Sequence, residues 1–306
     1  MPRVIPHDES VPIELGDLVH ALNDGRFDPA DEESFAAFGP LLARLALNRT
    51  FLTDIAVAEL KDRCQRLSEE SPYSSQVIML HRASENFFIR ANFWPSPKDS
   101  LFKLSGHSPF FYHVPHDHNF SFLTVGYLGP GYWSDYYEYD HTQVVGLPGE
   151  KVDLRFIERS RLEPGKVMLY RAQRDVHDQL PADEMSITIN IMESSPALPF
   201  RNQLRFDPKR CEIVGIVNRS STEALLALAA NLGGGNARDL VESFAERHPC
   251  DRIRFAALRE LAAAEPDLDA GLERLARGAH AANAFVAGMS ARERARAEAH
   301  RSWIER

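Results

Sequence analysis

The feature that most limits how this chain can fold is a series of eight short runs of apolar or alternating residues between positions 74 and 216. Gly, Pro, Asn and Asp residues separate these runs, as in chains that turn sharply between antiparallel strands. No intervening segment is long enough for the helical crossover that joins parallel strands. We therefore predict a β-sandwich or barrel with strands at residues 76–80, 86–94, 110–114, 120–128, 132–139, 152–158, 166–172 and 185–192.

Helical patterns flank this β-rich segment on both sides. Between residues 11 and 72, apolar residues such as Phe35, Phe38 and Leu42 recur at steps of three and four, which is typical of amphipathic helices. From Arg219 onward the chain has 13 Arg, no Lys and 13 acidic residues, so the whole net charge of −9 lies before this point. We predict three domains, which are an N-terminal helical segment (1–73), a β-barrel (74–218) and a C-terminal α-helical domain (219–306).

The composition restricts the class of protein. The chain has 306 residues, of which 44% are hydrophobic, as in ordinary globular proteins, and its net negative charge disfavours nucleic acid as the main partner. No apolar run reaches the roughly 18–20 residues of a membrane-spanning helix, and the N-terminus lacks the apolar core of a secretory signal. The three Cys residues form no CxxC pair. We therefore predict a cytoplasmic protein that binds neither nucleic acid nor membranes.

Four of the twelve histidines lie between residues 113 and 141. His116 and His118 are two positions apart, and on a β-strand such residues point to the same face. Two imidazoles on one inward face can chelate a metal ion, with a third ligand from another strand. The best candidate for that ligand is His177. Imidazole suits iron, copper, zinc and nickel alike, so these residues alone do not select the metal.

These residues resemble the two motifs of the cupin superfamily. His116 and His118 resemble the HxH of the first motif and Gly126 its later glycine, while Pro164-Gly165 and His177 resemble the turn and histidine of the second motif. The resemblance implies a double-stranded β-helix barrel with a metal ion inside. Separately, residues 248–267 resemble one helix of a HEAT-type repeat.

The chain departs from the cupin pattern at the position of the first-motif glutamate. Ser121 and Phe122 stand there, and neither suits a metal ion. The remaining three histidines resemble the iron centre of thiol dioxygenases and some other cupin dioxygenases. Glu138, on the next predicted strand, is an alternative acidic fourth ligand.

The favoured function is a mononuclear non-haem iron oxygenase of the cupin type. It would use Fe(II), with zinc or nickel as alternatives, and O2 to act on a small polar or amino-acid-like substrate. The resemblance also allows a homodimer, because cupins often form dimers. One alternative is a 2-oxoglutarate-dependent hydroxylase with a carboxylate ligand from Asp135, Glu138 or Asp140. Another is a non-catalytic barrel that binds a ligand or a protein, with residues 220–306 as the contact surface.

Three further residues are candidates for a catalytic role. Arg90 alternates with Phe88 and Asn92 along a predicted strand, and an inward guanidinium would bind a substrate carboxylate through two parallel hydrogen bonds. Tyr127 and Tyr170 each offer a phenol to the metal site. Asn190 and Thr188 are polar positions in an otherwise apolar strand, and they are expected to face the cavity.

Overall fold

The computed structural model describes residues 2–24, 27–64, 76–82 and 84–304. The strands are β1 (Arg3–Val4), β2 (Val77–His81), β3 (Phe87–Trp94), β4 (Phe122–Leu128), β5 (Tyr132–Glu138), β6 (Arg155–Leu162), β7 (Val167–Tyr170), β8 (Asp175–Gln179), β9 (Ser186–Glu193), β10 (Leu204–Asp207) and β11 (Glu212–Ile216). The helices are α1 (Leu15–Asn23), α2 (Glu32–Ala37), α3 (Gly39–Leu47), α4 (Phe51–Lys61), α5 (Ser100–Ser105), α6 (Ser221–Leu232), α7 (Gly235–Arg247), α8 (Asp251–Ala263), α9 (Leu268–Gly278), α10 (Ala284–Ala299) and α11 (Arg301–Ile304).

The chain divides into two compact units. Met1–Asp140 and Asp153–Leu198 form the first, which we call the sheet unit, and His141–Val152 and Pro199–Arg306 form the second, the helical unit. None of the described helices is both long and apolar enough to cross a membrane.

Two antiparallel sheets build the sheet unit. The larger has six strands in the order β1-β7-β4-β9-β3-β2, and the smaller has the order β6-β5-β8. Isolated bridges from Tyr112 to Gln179 and from His116 to His177 add a further segment beside β8. Helices flank these sheets, and the arrangement is compatible with a β-sandwich. Closure of the two sheets into a barrel stays a prediction.

Alternating residues of the six-stranded sheet belong to two different hydrophobic clusters, one on each face of the sheet. On β4, Leu123, Val125 and Tyr127 point to the outer face and pack with buried residues of the N-terminal helices, such as Leu18 and Leu42. The inner face belongs to a second cluster, which includes Phe122, Met168, Tyr170 and Met192 together with Tyr112, Tyr132 and Tyr136. Each fully buried side chain of this size contributes about 1.5–3 kcal/mol of transfer free energy. The N-terminal helices therefore share a core with the six-stranded sheet.

The helical unit contains the β10–β11 hairpin and helices α6 to α11. Backbone hydrogen bonds attach the hairpin to residues 149–152, and Cys250 and Arg252 of the helices bond to the chain at residues 199–202. These contacts place the hairpin with the helices, whereas the predicted barrel extended to residue 218. The predicted three-domain division thus groups residues differently from the two compact units. The resemblance of residues 248–267 to a HEAT repeat stays a prediction.

Gly126 is expected to be intolerant of any side chain. A Cβ at this position would lie 2.2 Å from the backbone oxygen of Glu163, where the turn at Pro164 and Gly165 crosses β4. We expect Gly126→Ala to lower the free energy of unfolding by about 2–3 kcal/mol, since overpacking against backbone forces the sheet to move. Chemical denaturation measures this loss. Gly16→Ala on α1 is the control, because a Cβ there meets no atom within 4 Å; an equal loss in both variants would contradict the expectation.

Candidate metal centre

His116 and His177 lie directly opposite each other on neighbouring extended segments. The backbone N–H of His116 donates to the carbonyl of His177 over 3.1 Å, and the N–H of His177 donates back over 3.0 Å. This is the hydrogen-bonded pair of an antiparallel ladder, in which both side chains point to one face. His118 is two residues beyond His116 and shares that face. Backbone pairing therefore brings the three predicted histidines together.

The three imidazoles form a compact group. One nitrogen atom from each of the three lies within 4.8 Å of the others. The Nε2 atoms of His118 and His177 are 3.1 Å apart, and the ring centroids are separated by 4.6 to 5.2 Å. His116 and His177 are buried, and His118 is half-buried. A group of this kind could hold a metal ion.

Burial keeps these histidines neutral. Loss of hydration lowers the pKa of His116 to about 4 and lowers the pKa of His118 and of His177 well below the ordinary value. The Nδ1–H of His116 donates to the carbonyl of Val114 over 2.6 Å, which leaves the lone pair on its Nε2. A ring fixed through its other nitrogen by a carbonyl is the usual state of a metal-ligating histidine.

The spacing of the nitrogen atoms fits a shared ion. Two imidazole nitrogens at ~2.1 Å from one ion and at right angles to each other are ~3.0 Å apart, close to the separation of the Nε2 atoms of His118 and His177. The donor set of three neutral imidazoles suits iron, zinc or nickel. The residues present therefore fit the expected metal, and they do not select among these ions.

Arg90 faces the interior of the sheet unit. Its neighbours at alternate positions on β3, Phe88 and Trp94, pack in the inner cluster, and it lies opposite Asn190 of β9. The positive charge of Arg90 also contributes to the lowered pKa of His118, after the larger effects of burial and the neighbouring histidines. The structure thus brings the predicted arginine to the same interior as the histidines.

Tyr170 lies beside the histidines, and Tyr136 lies with it. The ring of Tyr170 is 5.2 Å from that of His177, and its hydroxyl is 2.9 Å from the hydroxyl of Tyr136. Burial raises the pKa of Tyr136 to about 12 and the pKa of Tyr170 well above its ordinary value. Both phenols therefore keep their protons at neutral pH. The alternation of Tyr132, Ser134 and Tyr136 along β5 is a signal in the sequence that could have identified Tyr136.

The structure corrects the prediction for Tyr127. Its side chain lies on the outer face of β4, where the hydroxyl donates to the carbonyl of Asn48 over 3.0 Å and the ring packs against Phe51. Strict alternation from Phe122, which faces inward, puts Tyr127 on the opposite face. Tyr127 therefore supports the packing of helices on the sheet and does not contact the histidines.

The alternative carboxylate ligand, from Asp135, Glu138 or Asp140, is not part of the group. Glu138 forms ion pairs with Arg155, Arg171 and Arg174, and Asp135 binds Arg159 through both oxygens. Among the residues that the structure describes, the metal-ligand group consists of the three histidines alone.

The buried histidines make the stability of the metal-free protein depend on pH. The unfolded chain takes up protons at its histidines below about pH 6.5, whereas folded His116, with a pKa of about 4, does not. The contribution of the neutral histidine to the free energy of unfolding is therefore fully present above about pH 6.5, and it is lost as the pH decreases toward the pKa of the folded state. Between about pH 7.5 and about pH 5 we expect His116 alone to cost about 2 kcal/mol, measured by chemical denaturation in the presence of a chelator. His116→Gln should reduce this dependence, and an unchanged slope would contradict the assignment.

Comparisons with known proteins give only distant likenesses. No protein-family model matches the chain, and no curated protein matches it. A solved structure of the DMSP lyase DddQ from Ruegeria pomeroyi DSS-3 is 11% identical, with 63% of this chain and 79% of that chain covered and a TM-score of 0.25. A prolyl 4-hydroxylase structure from Phytophthora capsici is 10% identical, with 78% and 83% covered and a TM-score of 0.25.

A third structure, of the DMSP lyases RdDddP and RnDddQII, is 11% identical and has a TM-score of 0.21. The match covers 35% of this chain and 38% of that chain, so it spans well under half of that protein's length. Likenesses at these TM-scores carry no conclusion about activity, which has to come from the histidines and their surroundings.

Proposed function

We propose that this chain is a metal-dependent enzyme in which His116, His118 and His177 hold one ferrous ion, and that it acts as a cupin-type oxygenase on a small anionic substrate. The observation that carries the proposal is the grouping of three neutral imidazoles, two buried and one half-buried, whose nitrogen atoms lie within 4.8 Å of one another. Zinc and nickel fit the same donors, and with either ion the enzyme would perform other chemistry.

A bound ferrous ion would supply redox chemistry with O2 that no side chain offers. Aromatic side chains lie around the histidines. Phe120 and Phe122 lie with ring centroids 5.0 and 4.9 Å from that of His118, and the more exposed Phe111 lies 5.1 Å from His116. These rings lower the polarity beside the histidines, which strengthens the electrostatic interactions between the protein and a bound substrate.

Arg90 is the proposed substrate anchor. A guanidinium binds a carboxylate through two parallel N–H···O bonds, which fixes both the position and the orientation of the anion. The Tyr136–Tyr170 pair is the proposed hydrogen-bond donor, because both phenols stay protonated and only one O–H is needed between them. The hydroxyl of Tyr136 also lies 3.8 Å from Sδ of Met168, a weak acceptor that a substrate oxygen would replace. A small-molecule substrate, O2 and a homodimeric state are part of this proposal.

Oxygen uptake by matched metal forms tests the proposal. The purified protein is loaded anaerobically with Fe(II) or with Zn(II), and uptake is measured with thiols, amino acids, hydroxy acids and 2-oxoglutarate. We expect uptake from the iron form alone, with an anionic substrate and no succinate. Succinate production would favour the 2-oxoglutarate hydroxylase instead. A protein that binds neither ion would contradict the proposal and favour a non-catalytic binding protein.

A further inference from the structure

The inner face of the six-stranded sheet carries a compact group of polar residues opposite the histidines. Arg90 on β3, Asn190 on β9 and Thr124 on β4 lie side by side across three neighbouring strands. Asn92 and Thr188 form the next row. We call these five residues the polar block. Because neighbouring strands are ~4.8 Å apart, the block is ~10 Å wide, about the size of a small metabolite.

Among the neutral side chains of the polar block, two polar atoms have no protein partner within the part of the chain that the structure describes. They are Oδ1 of Asn92 and Oγ1 of Thr124, on side chains that are only 5% and 1% exposed. Thr188, by contrast, accepts a hydrogen bond from Nε1 of Trp94 over 3.0 Å. A buried polar atom without a partner costs about 1–3 kcal/mol. Asn92 and Thr124 are therefore the members of the block that a ligand would satisfy.

The charges and hydrogen-bonding groups of the block indicate which class of ligand it can bind. Arg90 provides the one formal charge of the block, and the other four side chains are neutral amides and hydroxyls. The oxygen of Asn92 accepts a hydrogen bond, so it requires an O–H or N–H donor. A protonated amine would meet no carboxylate in the block, and burial of an unpaired ammonium is costly. A neutral hydroxyl carries no such cost.

We propose that the polar block binds a small hydroxycarboxylate, with the carboxylate on Arg90 and the hydroxyl on Asn92, which lies two residues further along the same face of β3. This inference rests on the proposed function, since it names the substrate class of the same site. Asn92 is then the specificity residue, which distinguishes a hydroxy acid from the acid that lacks the hydroxyl. Asn92 does not contribute to the metal-ligand group.

Binding of matched acids to the zinc-loaded protein tests the proposal without any turnover. The probes are lactate, propionate and alanine, and malate, succinate and aspartate, each titrated by calorimetry. We expect each hydroxy acid to bind at least about tenfold more tightly than the acid without the hydroxyl, as a hydrogen bond to a buried acceptor predicts. Each amino acid should bind more weakly than its hydroxy acid.

Three variants test which residues of the polar block cause the preference for hydroxy acids. Asn92→Leu should reduce the preference for hydroxy acids to about twofold or less while propionate and succinate still bind, and Arg90→Gln should weaken all six acids. Thr124→Val, two strands away on β4, should keep that preference. Thr53→Val, at an exposed position on α4, is the matched control and should leave every affinity unchanged.

Results of two kinds in the titrations, and a failure to bind at all, would each overturn the substrate class while the metal still binds. One is equal binding of hydroxy and plain acids, and the other is tighter binding of the amino acids. Failure to bind any of the six acids at concentrations on the order of 10 mM would do the same. If elemental analysis finds that the protein binds no zinc, the proposed function itself fails, so the two failures are distinguishable.

Discussion

Replacement of His177 with alanine is expected to lower the affinity for a divalent metal ion at least about a hundredfold. Loss of a residue that only hydrogen-bonds to a metal ligand already lowers metal affinity by about 10–100-fold. His177 is buried, pairs through its backbone with His116, and has its Nε2 atom 3.1 Å from that of His118. Its removal leaves two imidazoles on one side of the site. Calorimetric titration of Zn(II) into the metal-free protein measures the loss.

His107→Ala is the control for this experiment. His107 is exposed and lies outside the metal-ligand group, so its variant should bind zinc as the original protein does. Near-ultraviolet circular dichroism of the buried tyrosines checks that the fold of His177→Ala is preserved. Wild-type affinity in a folded His177→Ala protein would rule out the three-histidine site.

Replacement of Arg252 with methionine is expected to destabilise the helical unit by about 3–5 kcal/mol, the usual cost of breaking a buried ion pair. Arg252 is 4% exposed on α8. It pairs with Glu223 of α6, and it donates to the amide oxygen of Asn202 over 3.1 Å and to the carbonyl of Pro199 over 2.5 Å. Its loss leaves a largely buried carboxylate and two acceptors without their donor. Differential scanning calorimetry of the whole chain measures the effect.

Two further variants separate the charge effect from packing. Arg259→Met changes an arginine on the same helix that is 40% exposed and pairs with its neighbour Glu260, so it should cost less than about 1 kcal/mol. Glu223→Met combined with Arg252→Met removes both charges and should recover part of the loss. A loss of less than about 1 kcal/mol in Arg252→Met alone would contradict the structural role assigned to this pair.

Side chains alternate between the two faces of a strand, so some residues of the inner face could be predicted from the sequence. The two-residue spacing of His116 and His118 correctly placed both on one face, and Arg90 alternates with Phe88 as expected. Thr124 could not be identified from its own strand. Its position beside Asn190 and Arg90 depends on the order β4-β9-β3, which is a property of the sheet as a whole.

Strand β8 illustrates why local patterns miss some elements. Its residues, Asp175 to Gln179, are mostly polar, so the strand that carries His177 was not predicted as a strand. Backbone pairing with β5 and with His116 forms it instead. Conversely, the apolar residues 110–114 were predicted as a strand, but Phe111 and His113 have φ values of 56° and 58°. Left-handed residues at these positions break the extended backbone.

The β10–β11 hairpin was missed for a similar reason. Residues 204–207 and 212–216 are too short and too mixed in character to predict strands on their own, and tertiary contacts within the helical unit stabilise them. The predicted break near residue 219 followed the change in Lys content, which reflects surface composition. A change in surface composition along the chain does not have to fall at the boundary between two packed units.

X-ray absorption spectroscopy at the edge of the bound metal shows whether His116, His118 and His177 together hold one ion. Protein loaded to one ion per chain is predicted to give a shell of nitrogen ligands at ~2.1 Å with the scattering signature of three imidazoles, and His177→Ala to give at most two. A shell of oxygen or sulfur ligands without imidazole scattering, or no bound ion at all, would contradict the account.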